Sequence, residues 1–108
     1  MVKDWYSQKA ISHIQKALDK YQPIVGKNIG SVKIRKMKTR WGSYNPVKSY
    51  INLNSELIKA PIKCIEYVVL HELTHLIYPN HNQHFYNYLS VHMPNWQKIK
   101  NMLEDGKG

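Results

Sequence analysis

Apolar and polar residues follow a helical period at both ends of this chain and a two-residue period in between. Between residues 4 and 21, apolar residues recur at helical spacing: Ile11, Ile14, Leu18 and Tyr21. Lysine, glutamine and aspartate fill the other face, so this segment predicts an amphipathic N-terminal helix. Pro23, Gly26 and Gly30 predict the loop that follows it.

The period changes to two in residues 31–38, where valine and isoleucine alternate with lysine and arginine. This pattern predicts a strand with one solvated face, and the lysines are typical of an edge strand protected from further pairing. A turn is predicted at Asn45-Pro46, and residues 49–54 alternate again as the next strand. The region therefore predicts a small antiparallel sheet of two or three strands.

A central helix is predicted after Pro61, since proline is common in the first turn of a helix. Its apolar row has four members: Ile62, Ile65, Val69 and Leu73. Pro79 should end the helix, because proline disfavours helical geometry in the residue before it. Two C-terminal helices follow, the second opening at Pro94, and residues 105–108 are predicted to form a tail.

These elements predict one α+β domain over residues 1–108. It consists of an N-terminal helix and loop (1–30), a small sheet (31–54) and a helical part (61–104). We expect the functional chemistry in the helical part, because the central helix carries two histidines and a glutamate in close succession.

The sequence His71-Glu72-Leu73-Thr74-His75 is the H-E-x-x-H pattern of zinc hydrolases. On a helix, His71 and His75 lie about 6 Å apart along the axis and nearly in register, so both imidazoles can reach one metal ion. Glu72 lies roughly 100° further round and flanks that ion. Its carboxylate is therefore the candidate catalytic base. The alternative is a hydrogen-bonded histidine pair on an ordinary helix.

His81 is the predicted third ligand, because a catalytic zinc site has three protein ligands and keeps one position open. The chain can turn after Pro79 and present His81 to the same ion. His84 is a rival, since it lies three residues later and both can face one way on a helix. Glu104 is a further alternative, being the only glutamate after the motif.

The motifs together resemble the YgjP-like metal-dependent hydrolases, relatives of the SprT-like zincins, over about residues 31–100. The matching segments are Arg40-Trp41-Gly42-Ser43, Leu53-Asn54, Pro61, His71 to Leu76, Asn80-His81 with Phe85, and Met93-Pro94-Asn95-Trp96. The chain departs from the family pattern at Tyr44, where cysteine is usual, and at Tyr86, where tryptophan is usual. From the same comparison we expect a shorter N-terminal region than that of longer relatives.

The resemblance implies a minimal zincin-like fold with one zinc ion bound by His71, His75 and His81. It also implies Glu72 as general base and metallopeptidase activity, although some relatives are described as nucleotide pyrophosphatases. The expected function is a zinc peptidase acting on a peptide laid along the edge strand of residues 31–38. The alternatives are a nucleotide pyrophosphatase or nucleic-acid-associated protease with the same site, and a non-catalytic, zinc-stabilised basic binding module.

The net charge of +9 and the pI near 9.7 favour an anionic partner such as a nucleotide or nucleic acid, although a lysine-rich solvated surface gives the same charge. Cys64 is the only cysteine, which excludes an intrachain disulfide, and we expect it in the core. No signal-peptide pattern or membrane-length apolar run is visible, so the expected location is the cytoplasm, without membrane contact.

Four further side chains are candidates for contact with a substrate or a developing oxyanion: Arg40, Tyr78, His84 and Tyr86. Arg40 suits a carboxylate or phosphate, although it can equally anchor the central helix. His84 is expected at the rim of the site. The two tyrosines, like Tyr88, lie close in sequence to the ligands, but packing is the alternative role for each.

Overall fold

The computed structural model of the chain, which describes residues 2–26, 31–38, 40–45, 47–48 and 50–107, combines helices with a three-stranded sheet. The predicted α+β class is confirmed. The elements, in chain order, are α1 (Val2–Val25), β1 (Ser31–Arg35), β2 (Gly42–Asn45), β3 (Tyr50–Asn54), a 3₁₀ helix (Ser55–Lys59), α2 (Ile62–Thr74), α3 (Gln83–His92) and α4 (Trp96–Lys107). Among these helices, none is both long enough and apolar enough to cross a membrane.

Helix α1 is longer than predicted, because Pro23 lies inside it instead of opening the loop. Proline removes one backbone hydrogen bond there and crowds the carbonyl one turn earlier, but the buried side chains of Tyr21 and Val25 hold the last turns against the core. Gly26 ends the helix with a positive φ of 77°, and its amide donates to the carbonyl of Gln22. The predicted loop residue Gly30 lies outside the described residues.

The sheet is mixed, so the prediction of a purely antiparallel sheet is wrong. Its strand order is β1-β3-β2, with β2 antiparallel and β1 parallel to β3. The chain crosses between β1 and β2 to the far side of β3, and this crossing makes β1 and β3 run in the same direction. The prediction that β1 is an edge strand is confirmed. It ends at Arg35, short of residue 38, because Asn54, the last residue of β3, pairs with Arg35.

Asn45 supports the predicted turn between β2 and β3. Its side-chain oxygen accepts hydrogen bonds from the amides of Val47 and Lys48, each at 3.0 Å. Such a bond from an asparagine to the backbone two residues on stabilises a tight reversal. Pro46, the other predicted turn residue, lies outside the described residues.

Helix α2 occupies the centre of the molecule and contacts α1, α3, α4 and β2. The predicted apolar row is buried at Ile65, Val69 and Leu73, and Cys64 is a core residue as expected. Ile62 is the exception. It is 45% exposed, because the first turn of α2 projects beyond the elements that cover the rest of the helix.

Helix α2 ends at Thr74, earlier than the predicted stop at Pro79. The amides of residues 75–77 bond to carbonyls three residues back, which tightens the chain into turns before the proline is reached. At the C-terminal end of the chain, the prediction of a tail over residues 105–108 is wrong for residues 105–107, which are helical. Helix α4 continues to Lys107 because buried Ile99 and Leu103 anchor it and no proline interrupts it.

Candidate metal centre

Three histidines converge where α2 ends. His71 lies in the last turn of α2, His75 is its C-cap residue, and His81 lies on the connection to α3. The Nε2 atom of His81 is 3.3 Å from Nε2 of His71 and 3.0 Å from Nε2 of His75. One ligand atom from each of the three lies within 4.8 Å of the other two, so the cluster could hold a metal ion.

The two distances from His81 are close to those of tetrahedral coordination. Zinc–nitrogen bonds of 2.0–2.1 Å at the tetrahedral angle put neighbouring ligand nitrogens about 3.3–3.4 Å apart. No fourth histidine, cysteine or carboxylate joins the cluster in the described part of the chain. Three imidazole donors with a fourth position left over match the donor set of a catalytic zinc site, whereas a structural site has four protein ligands.

Hydrogen bonds on the far side of the rings aim the histidines. His75 Nδ1 lies 3.2 Å from the carbonyl oxygen of Tyr78. A carbonyl can only accept, so Nδ1 carries the proton and Nε2 presents its lone pair to the cluster. His71 Nδ1 lies 3.5 Å from the hydroxyl of Tyr67, one turn earlier on α2. Tyr67 was not among the candidates predicted from the sequence, although its position four residues before His71 places it on the same helix face.

Burial keeps two of the imidazoles neutral. The pKa of His71 is lowered to about 3, mainly by desolvation and further by the positive charge that His75, His81 and Lys100 can carry. Desolvation also lowers the pKa of His75, with His81 as the next contributor. A neutral imidazole is the form that binds a metal, so both residues are in the ligand state at neutral pH without having to lose a proton.

Glu72 is a buried carboxyl group beside the cluster, with 5% of its surface exposed. Desolvation raises its pKa to about 8, and the guanidinium of Arg40 offsets part of that rise. A carboxyl group with a pKa near neutrality can both accept and release a proton at physiological pH, which is what a general acid–base group requires. Its environment therefore suits proton transfer.

The histidines and Glu72 border a cavity of about 560 Å³. One wall is formed by residues 40–44, that is, Arg40, Trp41 and most of β2, and the opposite side includes Lys100, Leu103 and Glu104 of α4. Glu104, the alternative ligand considered from the sequence, thus faces the same cavity but does not belong to the histidine cluster. The cavity is large enough for several side chains of a substrate.

Gly42 sets the distance between β2 and α2. A Cβ atom there would lie 3.1 Å from a methyl carbon of Val68, 3.2 Å from Cγ of Glu72 and 3.1 Å from the carbonyl oxygen of Asn52. These distances are shorter than ordinary van der Waals contacts. The absence of a side chain therefore allows the strand to lie directly against the helix that carries Glu72.

Asn54 fixes the loop that leads into β2. Its buried amide nitrogen donates to the carbonyl of Met37 at 3.0 Å and to that of Arg40 at 2.8 Å, and its oxygen accepts from the amide of Glu56. Arg40, which lines the cavity, is held in position through its own backbone. The leucine–asparagine pair found in the sequence thus has a structural function that its pattern alone did not indicate.

The remaining sequence candidates are not among the residues that line the cavity. The ring of His84 stacks on the ring of Tyr78, with centroids 6.1 Å apart, and neither side chain lines the cavity. Tyr86 stacks on Trp96, and its ring centroid is 6.3 Å from that of His81. The tyrosines that do line the cavity are Tyr44 and Tyr67.

The fold is similar to two solved metallopeptidase zymogens. Abylysin of Pyrococcus abyssi superposes with a TM-score of 0.78 at 19% sequence identity, covering 86% of this chain and 93% of that one. Jannalysin of Methanocaldococcus jannaschii gives a TM-score of 0.71 at 20% identity, covering 90% and 88%. No curated protein matches significantly. The profile of the YgjP-like metallopeptidase domain matches residues 1–106, and the chain therefore belongs to the YgjP-like metallopeptidase family.

Proposed function

We propose that this protein is a zinc-dependent peptidase in which His71, His75 and His81 hold one zinc ion and Glu72 is the general base. The observation that carries the proposal is the convergence of three imidazole Nε2 atoms beside a buried carboxyl group. The metallopeptidase family of the chain and the fold of the two zymogens support a peptide or protein substrate.

A bound zinc ion supplies Lewis acidity and lowers the pKa of water. Glu72 accepts a proton from the attacking water and delivers it to the leaving amine. The burial that raises its pKa makes the carboxylate a better proton acceptor, which favours the first transfer. Arg40 limits the rise in pKa and thereby keeps the ionised, accepting form accessible.

The strand beside the histidines is β2, so the expected position of the substrate along residues 31–38 is not supported. β1 forms the opposite edge of the sheet, and the cavity that it lines with α1 contains none of the three histidines. In the described part of the chain β2 has a strand partner on one side only, and it lines the cavity with Glu72. We therefore place an extended peptide along the free edge of β2, where it gains main-chain hydrogen bonds.

The proposal is tested with Glu72→Gln, which removes the base but keeps the shape of the side chain. We expect the variant to bind one zinc ion per chain and to lose peptide hydrolysis by at least about a hundredfold, the lower range for a general base. Zinc content by elemental analysis and cleavage of casein and fluorogenic peptides provide the readouts. Undiminished hydrolysis would exclude Glu72 as the base.

Glu66→Gln is the matched control on the same helix. Glu66 is half-buried, its carboxylate lies 3.9 Å from the ammonium group of Lys20, and it is not among the residues that line the cavity. We expect it to retain both zinc and activity. His81→Ala should lose zinc and activity together. Retention of stoichiometric zinc by that variant would contradict the ligand assignment.

The second candidate is hydrolysis of nucleotides at the same site, which the net charge of +9 favours. Incubation of the zinc-loaded protein with nucleoside triphosphates and with casein separates the two substrates, since release of pyrophosphate without proteolysis would support the nucleotide. The non-catalytic binding module is less favoured, because the described residues offer three clustered donors and a structural zinc site uses four.

A further inference from the structure

A second groove of about 510 Å³ adjoins the candidate active site. Trp41 and Leu103 line both cavities, so the two meet at these side chains. The floor of the groove includes apolar groups such as Met37 and the buried Cys64. An extended chain that lies along β2 and continues past Trp41 therefore reaches a concave surface with an apolar floor.

The rim of the groove carries an excess of positive charge. Lys36, Lys38 and Lys59 line it together with one carboxylate, that of Glu56. Glu56 lies 3.5 Å from Lys59 and so neutralises that lysine in part. Among the described residues, no carboxylate lies within ion-pair distance of Lys36 or Lys38. These two exposed ammonium groups are available to a ligand.

Protection of a strand edge does not account for these two lysines. β1 ends at Arg35, so Lys36 and Lys38 lie beyond the last residue pair of the strand ladder and cannot block further pairing at its edge. Their loop is instead held by the side chain of Asn54, which binds the carbonyls of Met37 and Arg40 on the same segment. The basic rim is thus fixed relative to Arg40 in the main cavity, as a preorganised binding surface requires.

We propose that this groove is a substrate subsite that selects peptides with acidic side chains several residues to one side of the scissile bond. The inference rests on the proposed peptidase function and specifies its substrate class. Carboxylates of the peptide pair with Lys36 and Lys38, while neighbouring apolar side chains cover the floor. A nucleic acid fits less well, because the carboxylate of Glu56 on the rim repels phosphates and because Trp41 is the single aromatic side chain among the residues that line the groove, whereas single strands stack on several.

The test compares two fluorogenic peptide sets that differ only in glutamate or glutamine at successive positions on either side of the cleaved bond. We expect kcat/KM of the zinc-loaded wild type to be about tenfold higher for glutamate at a few positions on one side only. Lys36→Glu with Lys38→Glu should abolish or invert this preference. The preference should also fall as salt rises, because exposed charges are screened.

Lys16→Glu with Lys48→Glu is the control of equal charge change, since both lysines are exposed and neither lines the groove. It should retain the preference. A milder pair, Lys36→Gln with Lys38→Gln, should give an intermediate loss and replaces the reversal variant if thermal denaturation shows that variant to be unfolded. Equal cleavage of both peptide sets by the wild type, or an equal loss in the control pair, would overturn the subsite.

A measurement of peptide binding tests the acidic-peptide subsite independently of the proposed peptidase activity. Fluorescence anisotropy of the zinc-loaded Glu72→Gln variant measures the affinity for the acidic and neutral peptides without turnover. Acidic-peptide binding that depends on Lys36 and Lys38, in a protein whose wild type cleaves no peptide, would support the groove and refute the peptidase. Binding of oligo(dT) that depends on the two lysines, with no preference among peptides, would refute the acidic-peptide subsite in favour of nucleic acid.

Discussion

At the scale of single residues, the candidate site consists of ionisable groups placed in apolar surroundings. Glu72 is buried and protonated near neutrality, whereas His71 is buried and neutral. In the absence of a metal ion Glu72 is held away from the ionised form that it has in solution at neutral pH, which costs folding free energy, whereas the lowered pKa of His71 costs free energy mainly below its usual value of 6.5. A bound cation would compensate for part of this cost.

The free-energy cost of burying Glu72 in the metal-free protein should rise with pH. The pKa of Glu72 is about 8 in the folded protein against a reference value of 4.5. Between these values, raising the pH takes a proton from the unfolded chain but not from the folded one, so the free energy of unfolding falls. Glutamine does not titrate. The melting temperature of metal-free Glu72→Gln should therefore rise relative to that of metal-free wild type as the pH is raised from 5 to 8.

Differential scanning fluorimetry in the presence of a chelator measures this difference. The contribution of His71 is present in both proteins and cancels in the comparison. A constant difference between the two melting temperatures over this pH range would show that Glu72 titrates normally in the folded state.

Tyr67→Phe should weaken zinc binding, because it removes the hydroxyl that lies 3.5 Å from Nδ1 of His71. Loss of such an outer partner of a ligand histidine typically costs about 10–100-fold in metal affinity. Competition with a chromogenic chelator measures the affinity. Tyr88→Phe is the control, because the buried hydroxyl of Tyr88 has no hydrogen-bond partner among the described residues. Equal zinc affinities of the two variants would show that the hydroxyl of Tyr67 does not support His71 as a ligand.

At the scale of elements, the site depends on how closely β2 lies against α2. Gly42 permits this contact, and Glu72 and Val68 are the helix residues that meet it. The motif that contains Gly42 is recognisable in the sequence but the function of the glycine is not, because the need for it arises from Glu72, 30 residues further along the chain. Packing distances between elements are not encoded in local periodicity.

Gly42→Ala should therefore displace the carboxyl group of Glu72. Overpacking of this kind costs about 1–3 kcal/mol, and the shift of the base should lower kcat more than it lowers zinc affinity. Thermal denaturation, zinc titration and peptide hydrolysis provide the three readouts. Ser43→Ala on the same strand is the control for lost stability alone, since it removes the hydroxyl that accepts from the side-chain amide of Asn52 at 3.1 Å and adds no atom against α2. Full activity of Gly42→Ala would show that the strand has room to move.

At the scale of the whole molecule, the sequence predicted the class of fold and the convergence of His81 with the other two histidines, but not the path of the chain through the sheet. Helix α2 was predictable because its apolar row is long and regular. The order of the strands was not, because a parallel and an antiparallel pairing of β1 present the same alternation. The partners of Asn54 and Tyr67 depend on tertiary structure and leave no local pattern.

The bond between His75 and the carbonyl of Tyr78 has a consequence for variation in this family. The group that orients the imidazole belongs to the peptide backbone, so any residue that preserves the turn supplies it. Mutation at codon 78 therefore changes the packing of an aromatic ring while the proton on His75 stays where it is. Residue 78 can therefore vary and still help to orient His75, because its backbone carbonyl and not its side chain makes the hydrogen bond.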